Sequence, residues 1–312
     1  MGLGIYFWAW SSIDIGATMK LSTLLAQASV VLAIGYKSHQ YNSNVPYAVG
    51  YAALTDEGFC KTEQRIWEDL EDIHEQGVKA VAIEGVTCDQ HQHVVRLAYG
   101  LGLKVHVSFP VTRSGLESAS LQMRVFVDSF NLSPHWNAVE AVVVGNSAIK
   151  NDHAGWMDLE NLTWNLKAAL KNAGYGGLIS IAEPAETFEN FPLLCRSDTI
   201  DFVSVEVWPY YHPQYAHRDS GLLVAREILR AERACAFKSV FVTSAGYPSS
   251  GITNGNQIAS RDRQEQAVNL MLAQTRGNIT LQTYFNEPWR EEGQFKDLQY
   301  YGMRKVIQGG YD

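Results

Sequence analysis

Three glutamates, Glu84, Glu183 and Glu206, each close a short apolar run, and two serines, Ser147 and Ser244, stand at the ends of two other runs. Carboxyl groups gathered on one rim can act as acid and base, or as acid and nucleophile, across a scissile bond. They can equally bind hydroxyl groups or pair with loop residues through water. A serine attacks only when a base activates it. Neither serine lies in a Gly-x-Ser-x-Gly turn, and the histidines that might serve them, His153 and His212, fall in loops, so a serine hydrolase is not indicated. The same run ends carry Asn146, Trp208, Tyr210, Tyr247, Tyr284, Glu287 and Trp289. Flat aromatic faces on a rim suit sugar rings, although aromatic rings also pack loops. The stretch Cys88-Asp-Gln-His91-Gln-His93 has metal-ligand residue types. His91 and His93 are two apart and face different ways on a helix, so no metal is expected there, and no cofactor elsewhere.

Positioning such groups on one rim needs a particular frame. From Val45 onward, β-branched runs alternate with amphipathic stretches, the mark of βαβ units and a parallel sheet. Strands are expected at 47–51, 80–84, 104–109, 139–145, 178–183, 202–207, 240–244 and 280–285. Helices are expected between them at 63–76, 91–101, 116–130, 157–173, 186–195, 222–235, 263–275 and 297–307. Eight strands in strict alternation with eight helices predict a closed (β/α)8 barrel, a TIM-type α/β fold, forming a single domain over residues 36–312. No glycine-rich loop follows the first strand, which excludes a dinucleotide-binding sheet. In such a barrel function sits at the C-terminal ends of the strands, where the residues named above fall.

The 312 residues carry a net charge of −8 without any basic cluster, so neither nucleic acid nor an anionic membrane is an expected partner. Met19-Lys20, the apolar run 21–32 and the small residues Ala33 and Gly35 form a secretory signal over 19–35. Residues 1–18 are then expected to be an extension from an upstream start site. A signal anchor using both apolar stretches, 4–10 and 21–32, is the alternative. Secretion, outside the cell or at the cell wall, accords with sequons at Asn131, Asn161 and Asn278, and with an even cysteine count of 4. Four cysteines permit three pairings.

Three segments carry a resemblance. They are Val142-Val-Val-Gly-Asn-Ser-Ala-Ile149, Phe241-Val-Thr-Ser-Ala-Gly-Tyr-Pro-Ser249 and Gln282-Thr-Tyr-Phe-Asn-Glu-Pro-Trp289. In order and placement they resemble the signatures of glycoside hydrolase family 17, the fungal cell-wall β-1,3-glucanases and glucanosyltransferases. Those signatures read Val-Gly-Asn-Glu, Glu-Thr-Gly-Trp-Pro-Ser and Phe-Glu-Ala-Phe-Asp-Glu-Pro-Trp. Gly58-Phe-Cys60-Lys61 and Cys88-Asp89 extend the likeness, which covers residues 47–305. Expected disulfides are Cys60–Cys88 and Cys195–Cys235.

The resemblance implies an acid/base glutamate where Ser147 stands and a nucleophilic glutamate where Ser244 stands. Further departures are Ile83 for a tyrosine, Tyr247 for tryptophan, Gln282-Thr283 for Phe-Glu and Asn286 for aspartate. Retaining glycoside cleavage uses two carboxyl groups roughly 5–5.5 Å apart, and hydroxyls replace neither. The leading expectation is a secreted, glucanase-like pseudoenzyme. It would bind β-1,3-glucan or a related oligosaccharide, or a protein partner, in a relic cleft lined by Asn146, Trp208, Tyr210, Tyr247, Tyr284, Glu287 and Trp289. The alternative is a β-glucan hydrolase or transglycosylase whose carboxylates have moved to a pair among Glu84, Glu183 and Glu206. A deliberately inactivated enzyme is a third reading, disfavoured because one substitution would suffice.

Overall fold

The computed structural model describes residues 44–309 other than 132 and 197; the expected signal and upstream extension lie outside the described residues. Eight strands form the barrel: β1 Ala48–Gly50, β2 Ala80–Glu84, β3 Lys104–Pro110, β4 Val139–Gly145, β5 Leu178–Glu183, β6 Val203–Val207, β7 Val240–Ala245 and β8 Ile279–Leu281. All neighbours pair in parallel, and β8 returns to β1 through Ala48–Thr280 and Val49–Leu281, closing the sheet. The helices are α1 Glu63–Glu75, α2 Gln90–Leu101, α3 Gly115–Ser129, α4 Trp156–Asn172, α5 Ala185–Asn190, α6 Leu193–Arg196, α7 Ser220–Ala234, α8 Arg261–Thr275 and α9 Arg304–Ile307.

Strands covered on both faces read as near-continuous apolar runs. Along β3, Val105, Val107 and Phe109 turn outward into the core beneath the helices. The alternate residues His106, Ser108 and Pro110 turn toward the barrel interior and its mouth. Helix starts are set locally: Thr62 Oγ1 accepts from Arg65 N and Ser260 Oγ from Arg263 N. Both expected disulfides are formed, Cys60–Cys88 tying the β1 loop to the β2 loop and Cys195–Cys235 tying α6 to the end of α7.

Two helical expectations change. The stretch 186–195 is divided into α5 and α6 around Pro192, which has no N–H to give a helix and would clash with the preceding turn. The stretch 297–307 is helical only from Arg304. Its first part lies against the end of the eighth strand instead, with a Thr283–Gly302 bridge and Met303 N donating to Thr283 O at 3.1 Å. Gly302 permits this approach, since a Cβ there would stand 2.4 Å from Asn286 N. Correspondingly β8 ends at Leu281, short of Phe285.

Candidate functional site

A cavity of about 320 Å³ opens at the C-terminal mouth of the barrel. Glu84, Asn146, Glu206, Ser244, Gln282, Glu287, Trp289 and Arg290 line it, drawn from β2, β4, β6, β7 and the loop after β8. Residues scattered over some two hundred positions therefore meet because each strand delivers its end to one rim.

The chain leaves β4 through Gly145, Asn146 and Ser147 with φ of 112°, 54° and 59°. Two successive non-glycine residues in the left-handed region are costly, of order 1–3 kcal/mol each, and such strain gathers at functional sites. Glu183 holds this loop down. Its carboxylate accepts from Ile149 N at 2.8 Å, Lys150 N at 3.2 Å and Thr187 Oγ1 at 3.1 Å. It is fully buried and does not line the cavity, and these hydrogen bonds serve the loop. Burial raises it to about 7 against the pull of those hydrogen bonds.

Ser147 Oγ donates a short hydrogen bond to Glu206 Oε2. Burial raises Glu206 to about 8, the Ser147 hydrogen bond opposing and the charges of Glu183 and Glu84 adding to the rise. At neutral pH it is therefore mainly a neutral acid facing the cavity. In the β6–β7 ladder Glu206 is registered with Ser244, whose Oγ donates to Gln282 Oε1 at 2.9 Å. Neither serine engages a histidine. His153 Nδ1 lies 3.2 Å from Val111 O instead.

The other two cleft carboxylates share one cation. Arg290 Nη2 lies 3.2 Å from Glu84 Oε2, and its Nε donates to Glu287 Oε2. The guanidinium also covers one face of Trp289, 4.7 Å from the ring centroid. Arg290 was not among the expected site residues, although it directly follows the Glu-Pro-Trp segment. Also outside that expectation were Tyr51, Gln90 and His106, which line the cavity too.

The aromatics divide. Tyr210, Tyr247 and Tyr284 are fully buried and present no ring face to the cleft. Their hydroxyls are used internally, on Ile252 O, on Gln257 Oε1 and on Asp72 Oδ2 respectively. Trp208 is half-buried, packs edge-on against Tyr301 at 5.7 Å and is absent from the cavity lining. Of the expected platforms only Trp289 borders the cavity, and it borders an adjoining groove with Lys61 and Arg65 as well.

Among the expected sequons, Asn131 and Asn161 are exposed. Asn278 is half-buried at the foot of β8, with its Oδ1 buried and Thr280 inside the barrel. Cys88 is consumed by its disulfide, and among the described residues no group of three or more His, Cys, Asp or Glu side chains could hold a metal. Among the described residues no helix is long and apolar enough to cross a membrane.

Residues 48–302 match the family model described as the BtgE/BtgC glycoside hydrolase domain. A probable beta-glucosidase btgE from Aspergillus clavatus is 26% identical over 253 residues, 81% of this chain and 44% of that protein. A probable family 17 glucosidase SCW10 from Saccharomyces cerevisiae is 27% identical over 256 residues, 82% of this chain and 64% of the yeast protein. The chain thus corresponds to part of each relative. Among solved structures, a Rhizomucor miehei β-1,3-glucanosyltransferase active-site mutant with laminaritriose superposes with a TM-score of 0.71, 15% identity, and coverage of 84% of this chain and 93% of that one. At that identity the likeness is one of fold.

Proposed function

This chain belongs to the BtgE/BtgC glycoside hydrolase domain family, and from that premise we propose that it is a secreted β-glucan-binding protein that does not carry out retaining glycoside hydrolysis. The carrying observation is the state of every carboxyl group around the cleft. Retaining cleavage needs one carboxylic acid and one free carboxylate facing each other across the bond. Here the two positions that the family resemblance assigns to catalysis hold Ser147 and Ser244, engaged with Glu206 and Gln282. Glu183 is sequestered by the β4 loop, and Glu84 and Glu287 are joined through Arg290. That leaves Glu206, an acid without a nucleophilic partner.

Binding is supported by what remains. Asn146, Glu206, Ser244 and Gln282 give donors and acceptors for sugar hydroxyls, and Trp289 gives a ring. A cavity with a few convergent polar groups and one aromatic wall suits the orientation of a bound sugar ring. The two disulfides and the exposed sequons at Asn131 and Asn161 support an extracellular or cell-wall setting, in keeping with the secretory signal expected at 19–35. Isothermal titration with laminari-oligosaccharides tests the reading. Binding that weakens about tenfold or more in Trp289→Ala, with Trp208→Ala unchanged, is the expected result. Loss on Trp208→Ala alone would place the ligand elsewhere.

One observation favours a second reading, a glycosidase or transglycosylase with relocated carboxylates. Glu206, raised to about 8 in a cleft, has the character of a general acid at neutral pH. That reading requires Glu84 or Glu287 to leave Arg290 when substrate enters. It predicts turnover abolished by Glu206→Gln.

A further inference from the structure

Helix α4 turns Leu159, Thr163, Leu166 and Leu170 inward, and Thr163 Oγ1 donates to Leu159 O at 2.7 Å. The outer side of such a helix is ordinarily polar, yet here Met157 is 59% and Trp164 54% exposed. Single exposed apolar residues are common on any surface. These two are not isolated from each other. At the helical period they fall almost in line, two turns apart, with Asn161 four residues after the first and three before the second. Helical side chains lean toward the helix N-terminus, so the Trp164 indole lies over the turn that bears Asn161, and Asn161 leans toward Met157. Among the described residues Trp164 meets no other ring or cation, and the Asn161 side chain makes no hydrogen bond.

Asn161 opens the sequon Asn161-Leu162-Thr163. The fold treats the three sequons differently. Asn278 has a buried Oδ1 and its Thr280 lies inside the barrel, so the folded chain has no room for a sugar there. Asn131 is exposed in the turn after α3. Asn161 alone stands on a helix between two large exposed apolar side chains. A β-linked N-acetylglucosamine presents a face of C–H groups and an acetamide methyl, which suits an indole and a thioether.

We propose that Asn161 is a glycosylation site whose first N-acetylglucosamine lies along Met157 and Trp164 and covers this face of α4. The site rests on the secreted setting proposed above. In the transfer, Asn161 Nδ2 attacks the anomeric carbon of an oligosaccharide carried on a polyprenyl diphosphate. The N–C bond forms as the C–O bond to phosphate breaks; the diphosphate leaves with the bonding pair, and one amide proton passes to a base of the transferring enzyme. That enzyme reads the sequon hydroxyl, and Thr163 is fully buried in the folded helix. The sugar is therefore added before α4 forms, as the chain enters the secretory pathway, and settles on the helix as it folds.

Secretion of the full chain from a yeast host, followed by peptide mass spectrometry, gives the first readout. An Asn161 peptide bearing a glycan is expected, and an Asn278 peptide bearing none. The second readout places the sugar. Mild peroxide converts exposed methionine to the sulfoxide, and Met157 should react at least about threefold faster in Asn161→Gln than in the glycosylated protein. Enzymatic removal of the whole glycan from folded protein gives the same comparison without a variant. Trimming the glycan to its first sugar should leave the protection in place. An unmodified Asn161 in chain recovered from the medium overturns the proposal and leaves this face to a protein partner. Equal oxidation of Met157 in all forms, or protection lost on trimming, overturns the placement of the first sugar and with it the proposal. A chain that stays inside the cells with every sequon unmodified removes the secreted setting and this inference together.

Discussion

At the scale of single residues, Glu206 decides how the site depends on pH. Burial raises it from 4.5 to about 8, and Glu183 moves the same way, to about 7. A carboxyl whose folded value lies above its unfolded one contributes stability that is fully present at and below the unfolded value. That contribution is lost as pH rises through the folded value. Both groups therefore make the fold less stable between about pH 5 and 8 as the unfolded chain releases protons the folded chain retains. The melting temperature should fall across that window, and Glu206→Gln should flatten the fall by thermal denaturation at stepped pH. A midpoint that rises with pH through the window, in both proteins, would contradict the assignment. Legibility at this scale was uneven. Glu84, Asn146, Glu206, Ser244 and Trp289 reach the cleft as strand-end placement implied, while Tyr210, Tyr247 and Tyr284 do not. Position along a chain says how near a rim a residue lies, not which way it turns past the last paired residue. His106 and Ser108, by contrast, were legible in principle. They alternate with Val105, Val107 and Phe109, and a polar residue at every second place in a buried strand points into the barrel.

At the scale of elements, the β4 loop carries the clearest energetic prediction. Glu183 satisfies two backbone N–H groups of the turn that Asn146 and Ser147 hold in the left-handed region. Glu183→Ala leaves those donors without their partner in a buried place, and should cost about 2–4 kcal/mol in urea unfolding. It should also weaken ligand binding, since the turn presents Asn146; a near-neutral effect on both would show that the loop is held by other means. The strands from β2 to β7 were legible to within a residue or so because a fully covered parallel barrel demands uninterrupted apolar runs, whereas β8 stops four residues short of its expected end. The stretch 297–307 was not. Its apolar spacing suits a helix, yet Gly302 packs on Asn286, and Asp297 Oδ2 accepts from the hydroxyls of Tyr211 and Tyr301, contacts that no local pattern records.

At the scale of the whole molecule, the two disulfides close loops with sequence separations of 28 and 40 residues. Chain-entropy estimates give about 3–4 kcal/mol for loops of this size. Cys60→Ser/Cys88→Ser should lower the denaturation midpoint accordingly and, by freeing the loops after β1 and β2, loosen one wall of the cleft. Unaltered unfolding of that variant would remove the constraint from the account. The barrel itself was legible from the eight-fold alternation. What the alternation could not give is which carboxylates are free, because Arg290 reaches Glu84 across 206 positions of sequence. That pairing separates a binding protein from a displaced catalytic pair. The direct measurement is a prolonged incubation of the mature protein, at high concentration, with laminarihexaose, followed by mass spectrometry of the sugars. The account predicts laminarihexaose recovered unchanged from folded protein that binds it. Shorter or longer oligosaccharides, formed by the wild type and absent with Glu206→Gln, would contradict it.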